Sequence, residues 1–151
     1  MIFDQSVLLQ PTISYMDAYA LMPTDNSGST IAVGADLVLP RLGSSSNSDI
    51  VPTSPSSFTL GPIGVYEVSF QVGITTAGQF VLTLNGVQLP ATVFGTAAAG
   101  IVVGRTIVTT TTANSILTLR NPTGNASALT ITPYMGGANA VSAHLVVTRL
   151  R

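Results

Sequence analysis

The chain has 151 residues and a mass of 15.5 kDa, a size that fits one domain with a substantial hydrophobic core. Only 7% of its residues are charged, against about 25% in an average soluble domain, and the formal net charge is -1 with no Lys. This composition argues against binding to a nucleic-acid backbone or an anionic membrane, and the absence of Cys excludes disulfides and thiolate metal sites.

The first segment, residues 1–12, ends beside Pro11 and is predicted to be a tail or a short edge strand, followed by one domain over residues 13–151. It lacks the charged and apolar regions of a secretory signal peptide, so we expect no export by that route. No apolar run approaches the roughly 20 residues needed to cross a bilayer, so we expect no membrane insertion.

Strands are predicted next over residues 15–21 and 30–39, with a turn between them. The turn begins at Asp25, where Asp and Asn side chains bond to their own backbone; a turn is therefore favoured over a calcium site. Residues 41–57, rich in Ser and containing two Pro residues, are predicted to form a surface loop.

The clearest strand signal covers residues 65–74, where apolar and polar side chains alternate with a period of two. The alternation places Tyr66, Val68 and Phe70 on the core face. A hairpin is predicted over residues 79–89, because the Asn85-Gly86 dipeptide tolerates the two positive φ angles of a type I′ turn.

The remaining predicted strands are each bounded by Gly, Pro, Asn or Ser: residues 58–60, 101–110, 116–120, 128–132 and 141–150. No segment has the pattern of a helix. Short strands and turns repeated along the whole chain are typical of an all-β sandwich or jelly roll.

Several strands appear apolar on both faces, which suggests that a second copy of the chain covers one of them. Leu145 and Val147, in the last predicted strand, are our candidates for an oligomer interface. The alternative is that these strands lie between the two sheets of one subunit.

No catalytic site is predicted, because the templates for nucleophilic, phosphate-binding and metal-dependent enzymes are absent and the six acidic residues are scattered. His144, the one His, is predicted to be a structural residue satisfied by a hydrogen bond. No cofactor and no metal are expected. Tyr134, beside Pro133 and two glycines, is the candidate to stack on a sugar, and packing at a strand end is the alternative.

The sequence GVYEVSFQV over residues 64–72 resembles the central-strand signature of the tumour-necrosis-factor-like and complement-component-q-like globular head. More specifically, four segments are similar, in the same order, to the C-terminal head of the collagen-like glycoproteins of the Bacillus exosporium. They are QFVLTLNG (79–86), LTLRN (117–121), MGG (135–137) and residues 141–150.

This resemblance implies a jelly roll of about ten strands that forms a homotrimer, with no catalytic residues. It implies a structural role as the trimeric tip of a collagen-like stalk on the spore surface. The stalk repeats and a targeting segment are not found in this sequence.

Two other classes of function compete with the structural head. A recognition module, such as a lectin or a phage fibre tip, would bind glycans or host receptors through its polar loops. A viral capsid subunit is also a jelly roll, but this chain lacks the basic arm that neutralises a packaged genome.

Overall fold

The computed structural model describes residues 13–25 and 30–151, and these residues form an all-β structure. The predicted tail, residues 1–12, lies outside the described residues, as do residues 26–28 of the predicted turn. The strands are β1 (Tyr15–Met22), β2 (Thr30–Ile31), β3 (Arg41–Ser45), β4 (Ile50–Ser54), β5 (Ser57–Leu60), β6 (Val65–Ile74), β7 (Gly78–Leu84), β8 (Val87–Gln88), β9 (Phe94–Thr96), β10 (Gly100–Thr109), β11 (Ser115–Arg120), β12 (Leu129–Thr130) and β13 (Val141–Arg149). A 3₁₀ turn, Pro90–Thr92, follows β8.

Two antiparallel sheets form a sandwich. The first sheet has the strand order β10-β6-β13-β1-β3; the second has the order β4-β5-β11-β7-β8, with β9 also paired to β7. A short pair, β12 and β2, forms a separate ladder beside the end of β6, where Ile131 bridges to Ile74. Buried side chains from both sheets form one hydrophobic cluster, so the core lies between the two sheets. Neighbouring strands in the first sheet are far apart in sequence, as a jelly roll requires.

The central strand β6 has the predicted bounds, Val65–Ile74, and the predicted alternation. Tyr66, Val68 and Phe70 are at most 2% exposed and lie in the core. The Tyr66 hydroxyl donates a hydrogen bond of 2.6 Å to the Pro62 carbonyl, which satisfies the one polar atom of this ring.

The predicted hairpin is also present. β7 and β8 pair around Asn85 and Gly86, whose φ angles of 51° and 81° are both positive, as a type I′ turn requires. The Asn85 side-chain oxygen accepts a hydrogen bond from the backbone N–H of Ile116, which ties the turn to β11.

The prediction of a surface loop over residues 41–57 is wrong, because β3 and β4 both lie within this segment. β3 pairs with β1, and β4 pairs with β5, so each is the last strand of its sheet. Edge strands gain their stability from one ladder and leave most side chains in solvent, so they need no apolar pattern. Pro52 is tolerated within β4 because an edge strand has one side without a ladder, where no backbone N–H is needed.

The predicted strand over residues 30–39 is much shorter than expected. Only Thr30–Ile31 pairs in a ladder, and Gly34 then turns the chain with a φ of 80°. Leu37 and Leu39 are nevertheless buried, and one isolated antiparallel bridge joins Asp36 to Arg120 of β11. The apolar alternation in this segment therefore reflects core packing more than a continuous strand.

The first and last described strands are neighbours at the centre of the first sheet. β1 pairs with β13 from Tyr15 opposite Thr148 to Met22 opposite Val141, and β3 covers the other edge of β1. This pairing brings together residues more than a hundred positions apart in the sequence.

Candidate functional site

The outer face of β13 carries a polar cluster that the sequence did not reveal. Alternation along β13 buries Leu145 and Val147 and turns Ser142 and His144 towards the outer face of the first sheet. His144 lies opposite Tyr19 of β1 and opposite Gln71 of β6. The imidazole therefore lies on the surface of one subunit, between two neighbouring strands.

His144 is hydrogen-bonded at both ring nitrogens. Nδ1 lies 2.7 Å from Oδ1 of Asp17, and Nε2 lies 2.9 Å from Oγ of Ser142. Asp17 is on β1, diagonal to His144 across the ladder. The side chains of His144 and Asp17 are 32% and 30% exposed, so solvent and small molecules can reach them. The result is an open chain of carboxylate, imidazole and hydroxyl.

Tyr19 fixes the plane of the imidazole. The two rings stack with their centroids 5.3 Å apart and an interplanar angle of 21°. A stacked ring hydrogen-bonded at both nitrogens has little freedom to rotate. The prediction that His144 is satisfied by hydrogen bonds agrees with these contacts. The sequence did not indicate Asp17 as a partner, because it lies 127 residues away.

A cleft of about 460 Å³ adjoins Ser142. Its walls are formed by Gln71, Gly73, Ile101, Met135 and Val141, together with Ala140 and Ser142 itself. Most of these side chains are apolar, with the Gln71 amide and the Ser142 hydroxyl as the polar groups. A smaller cleft of about 320 Å³ lies on the other side of Gln71, beside His144.

The loop that closes the first cleft has an unusual backbone. Tyr134 and Met135 have φ angles of 57° and 40°, a left-handed region that non-glycine residues rarely occupy. The Met135 sulfur lies so close to Gly73 that a Cβ at residue 73 would approach it within 2.6 Å. Tyr134 itself is 45% exposed and does not line the cleft; its proposed contact with a sugar stays a prediction.

Leu145 and Val147 do not fit the interface role expected for them. Both are 0% exposed within one subunit, so neither can contact a partner. Exposed apolar side chains lie instead on β10, at the edge of the same sheet. Ile101, Val103 and Ile107 are 46%, 62% and 60% exposed.

The few charges largely neutralise one another. Four of the Arg side chains pair with acids at 2.7–3.1 Å: Arg41 with Asp25, Arg120 with Asp36, Arg149 with Asp49, and Arg105 with Glu67. The Arg41 guanidinium and the Leu21 N–H hold the pKa of Asp25 below its usual value.

Within the described residues, no group of three or more His, Asp or Glu side chains is placed to hold a metal ion, and no helix is suited to span a membrane.

A third, polar cleft lies away from the His144 cluster. It has a volume of about 590 Å³ and is lined by small or neutral residues that include Gln79, Thr96, Asn125 and Ser127. No charged side chain contributes to its wall. Such a surface suits an uncharged ligand with many hydroxyl groups.

Comparison with known proteins identifies the fold. No protein-family model and no curated protein matches the chain. Among solved structures, the globular domain of zebrafish complement 1qA protein is 14% identical, with a TM-score of 0.63 over 92% of this chain and 97% of that one. The crystal structure of murine APRIL at pH 8.5 is 11% identical, with the same TM-score, over 92% and 100%. The chain therefore has the tumour-necrosis-factor-like and complement-component-q-like jelly-roll fold that the sequence predicted.

Proposed function

We propose that this chain is a homotrimeric, structural head domain that forms the stable tip of a collagen-like glycoprotein on the Bacillus spore surface. The observation that carries the proposal is the apolar strip on β10, formed by Ile101, Val103 and Ile107 on a tumour-necrosis-factor-like jelly roll. The ordered similarity of four sequence segments to exosporium heads supports the source and location.

The apolar strip favours a second copy of the chain as its partner. The three side chains project from one face of one edge strand, each about half exposed. Covering apolar surface contributes about 25 cal/mol for each Å² removed from water. With a formal charge of -1, identical subunits repel one another only weakly. Self-association is therefore favoured over binding to a charged partner.

The native molar mass tests this proposal. Light scattering at several concentrations should give close to three times 15.5 kDa, and the assembly should persist after mild heating. A monomer at all concentrations would refute the trimeric head.

The location is tested separately on spores. An antibody raised against the native chain should label the outermost layer of intact spores in immunogold micrographs. A chain without Lys or Cys offers few points for trypsin-like cleavage or oxidation, which suits an exposed surface. Label confined to the spore interior or the mother cell would contradict the proposed location.

A recognition module is the second candidate function, and the neutral polar cleft favours it. The cleft lined by Gln79, Thr96 and Asn125 could hydrogen-bond a glycan through amide and hydroxyl groups. A glycan-array signal lost in Asn125→Ala but kept in Tyr134→Ala would assign binding to this cleft. The reverse result would assign it to Tyr134.

A further inference from the structure

We propose that proton uptake by His144 tightens the contact between copies of this chain, so that the homotrimer is stronger in mild acid than in mild alkali. The inference deepens the proposed trimeric head and rests on it, because the side chains involved lie on the face that the trimer covers. They are His144, Asp17 and Ser142, joined by hydrogen bonds of 2.7 and 2.9 Å, with the Tyr19 ring stacked on the imidazole.

The His144 cluster lies beside the apolar strip on β10. Val103 lies opposite Gln71 of β6, and Gln71 lies opposite His144 of β13, so two strand spacings, about 10 Å, separate Val103 from His144. Both residues line the cleft of about 320 Å³. A specific interface buries about 800 Å² on each partner, a patch about 16 Å in radius. A subunit contact made through Val103 therefore also covers the His144 cluster.

His144 determines how the charge of this face changes near neutral pH. It is the one His of a chain without Cys, and imidazole is the side chain that changes charge between about pH 5 and pH 8. Tyr15 and Tyr19 of β1 face the same side, and phenols are uncharged in this range. The other charged side chains on this side of the neighbouring strands form ion pairs at 2.7–3.1 Å: Glu67 with Arg105, and Arg41 with Asp25.

The charge of the Asp17 carboxylate is balanced only when the imidazole is protonated. Within the described part of the chain, Asp17 forms its ion pair with His144, at 2.7 Å, and not with an Arg. A neutral ring leaves one net negative charge in each subunit, whereas a protonated ring gives a pair with a net charge of zero. Burial of an unbalanced charge costs more than burial of a pair, and three such charges repel one another. Assembly therefore favours the protonated form.

The hydrogen bonds at the imidazole fit both protonation states. Nδ1 donates to the Asp17 carboxylate in either state, because a carboxylate only accepts. Nε2 accepts from the Ser142 hydroxyl when the ring is neutral and donates to the same oxygen when the ring is charged. The stacked Tyr19 ring also favours a cation over its face. Proton uptake thus costs no hydrogen bond.

Threefold repetition amplifies the effect. Each subunit brings one His144 and one Asp17 to the assembly, so the preference for the protonated form multiplies over three copies. A tenfold preference in each subunit becomes about a thousandfold in the dissociation constant of the trimer. Affinity differences between related complexes lie mostly in dissociation rates, so subunit exchange should show the change.

The test measures subunit exchange in the native chain. Unlabelled and isotope-labelled trimers are mixed, and mass spectrometry of the intact assemblies follows the appearance of mixed trimers. We expect exchange to be at least tenfold faster at about pH 8.5 than at about pH 5.5. Asp25 and Asp49 do not interfere, because their pKa values are lowered and they stay ionised throughout this range. This comparison needs no variant and so does not depend on a variant's folding.

Two variants and a control identify the group that takes up the proton. His144→Gln keeps the unbalanced Asp17 charge at every pH, so exchange should be fast at both pH values. Asp17→Asn should reverse the sign, because a protonated imidazole would then be the unbalanced charge, and exchange should be faster in acid. Ser69→Ala removes an uncharged side chain from the wall of the same cleft and should keep the wild-type pH dependence.

The outcomes separate this inference from the proposed trimer. A trimer that exchanges equally fast at both pH values would overturn the inference and leave the trimeric head intact, whereas a monomer at every concentration would overturn both. A pH dependence that persists in His144→Gln would assign it to another group. The wild-type sign in Asp17→Asn would show that the balance of charge with Asp17 is not its cause, and either result would overturn the inference.

Discussion

Phe70 of the core and the partly buried Phe94 pack edge to face, with their ring centroids 5.7 Å apart and an interplanar angle of 78°. Phe70 belongs to β6 of the first sheet and Phe94 to β9 of the second, so this contact joins the two layers of the sandwich. Gly104 of β10 lies against both rings. This contact therefore stabilises the packing of the two sheets, and it leaves no room for a side chain at residue 104.

Removal of the Phe70 ring should lower the free energy of unfolding by about 3–5 kcal/mol, the usual range for a buried aromatic replaced by Ala. Phe70 is 2% exposed, so its loss leaves a cavity between the sheets. Urea denaturation followed by circular dichroism measures the effect. A midpoint equal to the wild type would show that this ring does not hold the layers together.

Addition of one methyl group at Gly104 should destabilise the fold by about 1–3 kcal/mol through overpacking. A Cβ at residue 104 would lie 2.4 Å from the Phe70 ring and 2.7 Å from the Phe94 ring. The matched control is Gly124→Ala, where a Cβ meets nothing within 4 Å. Thermal melting should separate the two variants, and equal melting temperatures would contradict the tight packing.

A charge on the apolar strip should disrupt the proposed trimer. In Val103→Arg, three like charges would enter the subunit contact, so light scattering should show the monomer mass with the fold intact. Val87→Arg is the control, because Val87 is 66% exposed on β8 of the other sheet. If the Val87 variant dissociated and the Val103 variant did not, the subunits would meet through the second sheet.

Asp49 should make stability depend on acid pH. Hydrogen bonds from the Ser14 hydroxyl and the Arg149 guanidinium, at 2.7 and 2.9 Å, lower the pKa of Asp49 in the folded state. A lowered pKa means that the unfolded chain binds more protons, so this contribution is present above about pH 4 and disappears as the pH falls through the folded pKa.

The variant Asp49→Asn should therefore be less stable than the wild type at neutral pH and should lose less stability on acidification. Urea midpoints measured from pH 7 to pH 2 would show the two curves converging. Parallel curves would mean that Asp49 is not linked to folding.

The parts of the fold that follow from local patterns were predictable. β6 follows from strict alternation, and the β7–β8 hairpin follows from a dipeptide that accepts two positive φ angles. The edge strands β3 and β4 were not, because a strand with one partner and a wet face has no apolar period to detect.

The candidate site shows a different limit. Ser142 and His144 are two residues apart, and their shared face follows from strand periodicity. Asp17 joins them only because β1 pairs with β13, and no local signal in the sequence indicates that register. Leu145 was assigned to an interface for a related reason: an apolar strand side chain gives no sign of whether its own subunit or another covers it.

The position of β1 between β13 and β3 has a mechanical consequence. Any tether joined ahead of Tyr15 would pull β1 along its own axis, while hydrogen bonds hold it on both edges. Because those bonds run across the strands, such a pull loads them in shear, and many must break together rather than one after another. A head anchored through this strand would withstand drag and abrasion far better than one anchored through a strand that peels from the edge of a sheet.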